Sequence, residues 1–147
     1  MTPCTEFSVF SVSRPGVLSQ VCRALAEAKI NILALTMMDT MEHGVMRLVC
    51  ASAANGRAAL QKLNTPFTEN EVVAIEMPNR PGAAAEVCDK LAAAKVTINY
   101  MYLSTSGAKA IGIFRLNSIE KAKKALANRK KTSRQMMIQR RQPAGRR

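Results

Sequence analysis

The sequence predicts an α+β protein that contains one unit of about 66 residues twice in succession. Sliding the chain against itself by 66 positions, here called the repeat offset, superimposes identical residues without a gap. Within each copy, stretches in which apolar and polar residues alternate surround stretches in which apolar residues recur every three or four positions. Aromatic residues make up 4% of the chain, so we expect a core of Val, Ile, Leu, Met and Ala.

The duplication is clearest at two turns, because Arg14-Pro15-Gly16 falls on Arg80-Pro81-Gly82. Further identities at the same offset are Val21-Cys22 with Val87-Cys88, Leu25-Ala26 with Leu91-Ala92, Ala28-Lys29 with Ala94-Lys95, Ile32 with Ile98, and Ala59-Leu60 with Ala125-Leu126. Identities at one fixed offset across helices and strands are hard to obtain by chance. The chain is therefore a tandem duplication.

Each copy is predicted to open with a strand, at 7–12 and at 72–77, that ends at the Arg-Pro-Gly turn. There Pro fixes φ and Gly permits a tight turn. A helix follows over 17–28 and 83–94, where Ala and Leu dominate and apolar residues have helical spacing. The remaining predicted elements are strands at 30–38 and 96–103, polar turns at 40–44 and 104–108, return strands at 45–50 and 110–115, shorter helices at 55–63 and 118–128, and weak last strands at 66–69 and 135–139.

The order β-α-β-β-α-β in a unit of this length predicts the ferredoxin-like arrangement, an antiparallel four-stranded sheet with both helices on one face. The predicted domains are a first repeat at 1–70, a second repeat at 71–139 and a basic, disordered tail at 140–147. One face of each sheet is left without helices. We therefore expect another copy or another protein to cover it, and a two-fold homodimer is the simplest closed solution.

Two segments, SRPGVLSQVCRALAEAKINI and NRPGAAAEVCDKLAAAKVTI, resemble the signature of the ACT domain family, in which R-P-G precedes a first helix and an I-N-I strand. The layout over residues 5–130 is similar to that of small stand-alone proteins made of two ACT repeats. The resemblance implies an allosteric regulator that binds an L-amino acid at the seam between two copies, with a regulated enzyme as a possible partner. In that family the turn before the first helix of one copy faces the second strand of the other.

The resemblance places the ligand-binding positions at both turns and both second strands. They are Ser13, Gly16, Val17, Leu18 and Asn31 in the first copy, and Asn79, Arg80, Gly82, Ala83, Ala84 and Thr97 in the second. If the repeats face each other across their second strands, a seam of Asn79 with Asn31 keeps both amides that the family tends to use. The other seam, Ser13 with Thr97, keeps neither, so we expect one tightly bound ligand per chain.

Each of these positions also has a purely structural explanation. Gly16 and Gly82 are required by the turn alone, and Asn favours turns and strand ends. Tyr100 and Tyr102 stand two apart on one predicted strand and therefore share a face, where packing is favoured over a pocket.

The sequence lacks the arrangements that catalysis needs, because it has no paired carboxylates, Cys/His pair, Gly-rich phosphate loop or nucleophile elbow. We therefore predict no enzyme activity. The four cysteines are widely spaced, which predicts neither a metal site nor another cofactor. The absence of a signal peptide and of a stretch of ~20 apolar residues predicts a cytoplasmic protein that does not span a membrane.

The net charge of +12 is concentrated at one end of the sequence. Residues 129–147 hold eight Lys or Arg and no acid, which leaves 14 basic and 10 acidic residues elsewhere. Such a run is usually a solvated tail. The alternative function is a ferredoxin-like module that binds nucleic acid through this basic C-terminal region, although the aromatic motif of RNA-binding sheets is absent.

Overall fold

The computed structural model describes residues 1–12, 14–40 and 43–127. Ser13, the predicted strand at 135–139 and the basic tail lie outside the described residues. The described chain forms six strands and four helices: β1 (Thr2–Val12), α1 (Val17–Glu27), β2 (Ile32–Thr40), β3 (His43–Cys50), α2 (Ala53–Lys62), β4 (Phe67–Pro78), α3 (Ala83–Ala93), β5 (Ile98–Ser106), β6 (Lys109–Leu116) and α4 (Ile119–Ala127).

The two repeats have the same backbone at the repeat offset found in the sequence. Helix α1 corresponds to α3, and the first residues of β2 and β3 correspond to the first residues of β5 and β6. An irregular pairing after Ile32 recurs after Ile98, and Lys29 and Lys95 both have φ 55°. These details follow the local sequence, so the duplication is present in the structure as well as in the sequence.

All six strands form one antiparallel sheet in the order β2-β3-β1-β4-β6-β5. The predicted ferredoxin-like repeats are confirmed, but they share strands instead of forming two separate sheets. Strand β4 pairs with β1 through residues 67–74 and with β6 through residues 73–78. Strand β1 likewise pairs with β4 through residues 2–9 and with β3 through residues 6–12. Each central strand therefore serves both repeats.

The strands predicted separately at 66–69 and 72–77 are one continuous strand, β4. No Gly or Pro interrupts residues 67–77, so nothing in the local sequence breaks the extended backbone. The domain boundary predicted between residues 70 and 71 falls inside this strand.

All four helices lie on one face of the sheet. Phe7 and Val9 pack with α1 and α2 around Leu25 and Leu60 in one core. Val73, Ile75 and Met77 pack with α3 and α4 in a second core, whose members also include Leu91 and Phe114. Val9 pairs with Phe67, which has the same strand parity as Val73, so both cores lie on the same side.

The first helix of each repeat begins in the same way. Gly16 and Gly82 precede α1 and α3 with φ 91° and 85°, a left-handed conformation that favours Gly because it has no Cβ. The antiparallel arrangement of β1 and β4 places these two turns at opposite ends of the sheet. None of the described helices is long and apolar enough to cross a membrane.

Candidate functional site

The face of the sheet opposite the helices, here called the helix-free face, is partly closed by the curvature of the sheet. It has its own small core of Val49, Val72 and Ile113, with Cys4, Ala34, Ala74 and Tyr102 packed against it. Sequence reasoning left this face to be covered by another molecule. The strands at its centre are instead covered by side chains from the chain itself.

The centre of the helix-free face holds a buried carboxylate, Glu6, whose side chain is 0% exposed. The hydroxyl of Tyr100 donates a hydrogen bond to Glu6 Oε1 at 2.5 Å, and that of Tyr102 donates to Oε2 at 2.9 Å. The guanidinium of Arg47 lies 3.5 Å from Oε1 and 4.0 Å from the centre of the Tyr100 ring. Both carboxylate oxygens are thus hydrogen-bonded, as a buried charged group requires.

Two further polar side chains complete this group. Ser8 Oγ accepts hydrogen bonds from Arg47 Nη1 and from Asn70 Nδ2, both at 3.0 Å. We refer to the six residues Glu6, Ser8, Arg47, Asn70, Tyr100 and Tyr102 as the polar cluster. It joins β1 and β3 of the first repeat to β4 and to β5 of the second.

The hydrogen bonds of the polar cluster are possible only if the sheet is curved. Strand β5 is three positions away from β1 in the sheet, a separation of about 14 Å if the sheet were flat. Side chains on one face of a flat sheet stand roughly parallel, so hydroxyls on β5 could not meet a carboxylate on β1. The contact requires the β5 side of the sheet to curl over the helix-free face towards β1.

The tyrosine hydroxyls are held in their protonated form. Burial, followed by the hydrogen bond to Glu6, raises the pKa of Tyr100 to about 12. Burial and the negative charge of Glu6 also raise the pKa of Tyr102. Both side chains therefore remain hydrogen-bond donors towards Glu6 well above neutral pH.

The polar cluster is not repeated at the corresponding positions of the described sheet. At the repeat offset, Glu6 corresponds to Val72 and Arg47 corresponds to Ile113. Tyr100 and Tyr102 correspond to Ala34 and Thr36. The same backbone positions thus carry a charged network in one set and, in the other, two members of the small apolar core, Val72 and Ile113, with Ala34 packed against them.

The two edge strands face each other across a groove of about 610 Å³, here called the edge groove. Its lining comes from both repeats: Ile32, Leu33, Ala34, Leu35 and Thr36 on β2, Tyr102, Leu103, Ser104, Thr105 and Ser106 on β5, and Lys109, Ile111 and Ile113 on β6. Ile113 is buried, whereas Lys109 lies 3.0 Å from Glu76 in an exposed ion pair. Apolar side chains, hydroxyl groups and one ammonium group therefore meet in the groove.

The unpaired edges of β2 and β5 add backbone groups to this groove. In the described sheet each edge strand has a neighbour on one side only, β3 or β6. Its other N–H and C=O groups are free to bind a ligand or a further strand.

The predicted residue Asn79 lies beside the edge groove without lining it. Its side-chain nitrogen donates to Gly107 O at 2.9 Å, and its backbone N–H donates to Ala108 O at 2.9 Å. These bonds attach the turn before α3 to the β5–β6 hairpin, whose Ser106 and Lys109 do line the groove.

The second-strand positions are held through their backbones. Asn31 accepts a hydrogen bond from Ala51 N–H at 2.9 Å and immediately precedes Ile32, a lining residue of the edge groove. Thr97 donates its N–H to Asn117 Oδ1 at 3.0 Å and accepts from Asn117 N–H at 3.1 Å. The structure thus places Asn31 next to one lining residue of the edge groove and holds Asn79 against the hairpin that carries others.

The other predicted positions lie around the starts of α1 and α3. Arg80 forms an exposed ion pair with Glu86 at 2.6 Å. Val17 and Ala83 are buried under their helices, Ala84 packs against the second core, and Leu18 is partly exposed. Gly16 and Gly82 are accounted for by their positive φ. These residues are not among those that line the edge groove.

Sequence reasoning missed Glu6 and Arg47. It placed Tyr100 and Tyr102 on one face, and their hydrogen bonds to the same carboxylate agree with this. The feature of the sequence that could have pointed to Glu6 is an acidic residue at the start of an otherwise apolar alternating stretch. Its partners lie 94 and 96 residues away along the chain, so no local pattern connects them.

The family model of an ACT domain pair matches residues 1–136. The crystal structure of protein BT0572 from Bacteroides thetaiotaomicron is 29% identical, with a TM-score of 0.83 over 88% of this chain and 90% of that chain. The regulatory subunit of aspartate kinase from Thermus thermophilus is 16% identical, with a TM-score of 0.66 over 86% and 91%. Aspartate kinase from Synechocystis is 22% identical, with a TM-score of 0.57 over 86% of this chain and 25% of the enzyme. No curated protein sequence matches the chain.

Proposed function

Because the chain belongs to the ACT domain pair family, we propose that it is a regulatory sensor that binds an amino acid at the seam between its repeats. Binding would transmit an allosteric signal to an enzyme or another regulated protein. The observation that carries the proposal is the edge groove, whose walls come from different repeats. The pocket is complete only when both repeats are in place, so ligand binding and repeat pairing are coupled thermodynamically.

The chemistry of the edge groove suits a zwitterion. The unpaired backbone groups of β2 and β5, together with the hydroxyl groups of Thr36 and Ser104, supply acceptors for an ammonium group and donors for a carboxylate. Lys109, which forms an ion pair with Glu76, places an ammonium group at the hairpin end of the groove. Ile111 and Ile113 offer an apolar surface for a side chain.

The proposed site extends from the edge groove to the amides beside it. Asn31 precedes the β2 wall, and Asn79 holds the hairpin that forms the opposite wall. Asn79→Ala removes the hydrogen bond that holds the hairpin wall to the turn before α3, so it should weaken binding about tenfold. Asn31→Ala should also weaken binding, because Asn31 directly precedes the β2 wall, whereas Thr97→Ala should have little effect.

We include a two-fold dimer in the proposal, because β2 exposes apolar side chains along an unpaired edge. Leu33 is 64% exposed, and Leu35 and Met37 are also exposed. Burying such a strand edge against a second copy is a common way to protect it. Sedimentation velocity at micromolar concentration measures this state independently of ligand.

The test of the proposed function is a thermal-shift screen of the twenty common amino acids on the full chain, followed by calorimetry. A ligand at 100 times its Kd adds ~2.7 kcal/mol to the free energy of unfolding, which raises the Tm by several degrees. Ser104→Phe fills the groove from an exposed position and should abolish the shift. Its control, Ser19→Phe, places the same ring on the exposed surface of α1 and should leave the shift intact. A screen with no stabilising amino acid would contradict the proposal.

A further inference from the structure

Tyr102 belongs both to the wall of the edge groove and to the polar cluster. Its hydroxyl donates to Glu6, a residue that does not line the groove. The position of one groove wall therefore depends on a carboxylate located three strands away in the sheet.

Both carboxylate oxygens of Glu6 are occupied by tyrosines from β5, so the edge strand is attached to β1 at two points. Arg47 reinforces the attachment, since its guanidinium contacts both Glu6 and the ring of Tyr100. At the positions that correspond to Glu6 and Arg47 by the repeat offset, the residues are Val72 and Ile113, which pack in the small apolar core. Apolar packing is not directional, whereas two hydrogen bonds to one carboxylate define both a distance and an orientation.

We propose that Glu6 is a positioning residue for the edge groove: it holds Tyr100 and Tyr102 over β1 and thereby fixes the separation of the edge strands β2 and β5. The relation to ligand affinity rests on the proposed function. The positioning itself is measurable without any ligand, because the attachment of the two tyrosines to β1 is a property of the free chain.

The chain contains two tyrosines and no tryptophan, so its tyrosine signals come entirely from the polar cluster. We compare the full-length wild-type chain with Glu6→Val, which installs the residue of the corresponding position, and with Glu6→Gln, which keeps an acceptor of the same shape. The readouts are near-ultraviolet circular dichroism, ultraviolet titration of tyrosinate, and far-ultraviolet circular dichroism as a check of folding. Glu69→Gln is the matched control, since it breaks the exposed ion pair with Arg57.

In Glu6→Val we expect the near-ultraviolet tyrosine signal to collapse and the pKa of Tyr100 to fall below about 12, because the hydrogen bond and the charge of Glu6 are lost, while the far-ultraviolet spectrum is retained. Glu6→Gln should keep most of the near-ultraviolet signal, and Glu69→Gln should match the wild type. If Glu6→Val does not fold, Glu6→Leu replaces it with the same expected changes, because it also removes both acceptors. Unchanged tyrosine signals in a folded Glu6→Val or Glu6→Leu chain would overturn the proposal.

If an amino acid stabilises the wild type, Glu6→Val should weaken its affinity at least tenfold, and Glu6→Gln should stay within about threefold. Equal affinities of Glu6→Val and wild type would also overturn the positioning role. If no amino acid binds the wild type, the proposed function fails, and the tyrosine signals still decide whether Glu6 positions the groove wall.

Discussion

Around Glu6 the helix-free face of the sheet is charged and hydrogen-bonded, and around its counterpart Val72 the same backbone positions are apolar. The helix side shows the opposite behaviour. Leu25 and Leu91 are both 0% exposed at matched positions, and both repeats place the same turns and helices around them. The duplicated unit has kept its helix-side core and has diverged where the two copies meet.

The helix side also shows how a core changes without losing its volume. Phe7 pairs with Leu48 across β1 and β3. At the corresponding place Val73 pairs with Phe114 across β4 and β6. The large ring has moved to the other strand of the pair, and such volume-conserving exchanges cost little. Replacing Glu6 and Arg47 by Val72 and Ile113 is different in kind, because it exchanges a charged pair for an apolar one.

The largest expected effect tests the equivalence of the two helix-side cores. Leu25→Ala and Leu91→Ala should each lower the free energy of unfolding by about 3–4 kcal/mol, because each leaves a cavity in a fully buried core. Urea denaturation followed by circular dichroism measures both. Since β1 and β4 belong to both repeats, each variant should still unfold in one transition. Two separate transitions in either variant would show that the repeats are independent.

A second, smaller effect tests the helix-free face, where the two repeats differ. Arg47→Ile installs the residue of the corresponding position and should cost about 2–3 kcal/mol, because Glu6 keeps a buried charge without its cation. The partial exposure of Arg47, 18%, keeps this value below that of a fully buried pair.

The origin of that cost is separable by a double-mutant cycle. In a Glu6→Gln background, Arg47→Ile should cost less than about 1 kcal/mol, since no charge is left to compensate. An equal cost in both backgrounds would assign the effect to packing of the Arg47 side chain over Tyr100.

The smallest effect is a dependence on alkaline pH that arises from the two tyrosines of the polar cluster. The unfolded chain loses its tyrosine protons near pH 10, whereas the pKa of Tyr100 is raised to about 12 in the folded chain. Between these values the folded state binds more protons than the unfolded state. The stability that the raised pKa of Tyr100 contributes is therefore fully present below pH 10 and is lost as the pH rises towards 12. The Tm of the wild type should fall more steeply above pH 10 than that of the Tyr100→Phe/Tyr102→Phe variant. Lysines titrate in both the wild type and the variant. If the two plots of Tm against pH were parallel, the tyrosines would not be the cause of the loss of stability.

The helices and turns were predictable because their signals are local. The repeat offset, the Arg-Pro-Gly turns and the helical spacing around Leu25 and Leu91 can all be read from short stretches of sequence. The sharing of β1 and β4 was not predictable, since an alternating stretch does not specify its neighbours. The edge groove and the contacts of Glu6 depend on that sharing. The predicted asymmetry between the seams remains a prediction, because Ser13 lies outside the described residues.

The shared strands also affect how this chain reaches its native state. Thr2 pairs with Ala74 and Val9 with Phe67, so the central ladder joins residues about 60–70 positions apart in the sequence. Closing such loops has to precede any gain from the contacts, and domains dominated by distant pairings fold slowly. The hairpins β2–β3 and β5–β6 need no such closure and can form early. We therefore expect the local hairpins to form before the central ladder between β1 and β4. Until that ladder forms, the apolar edges of β2 and β5 can pair with other chains.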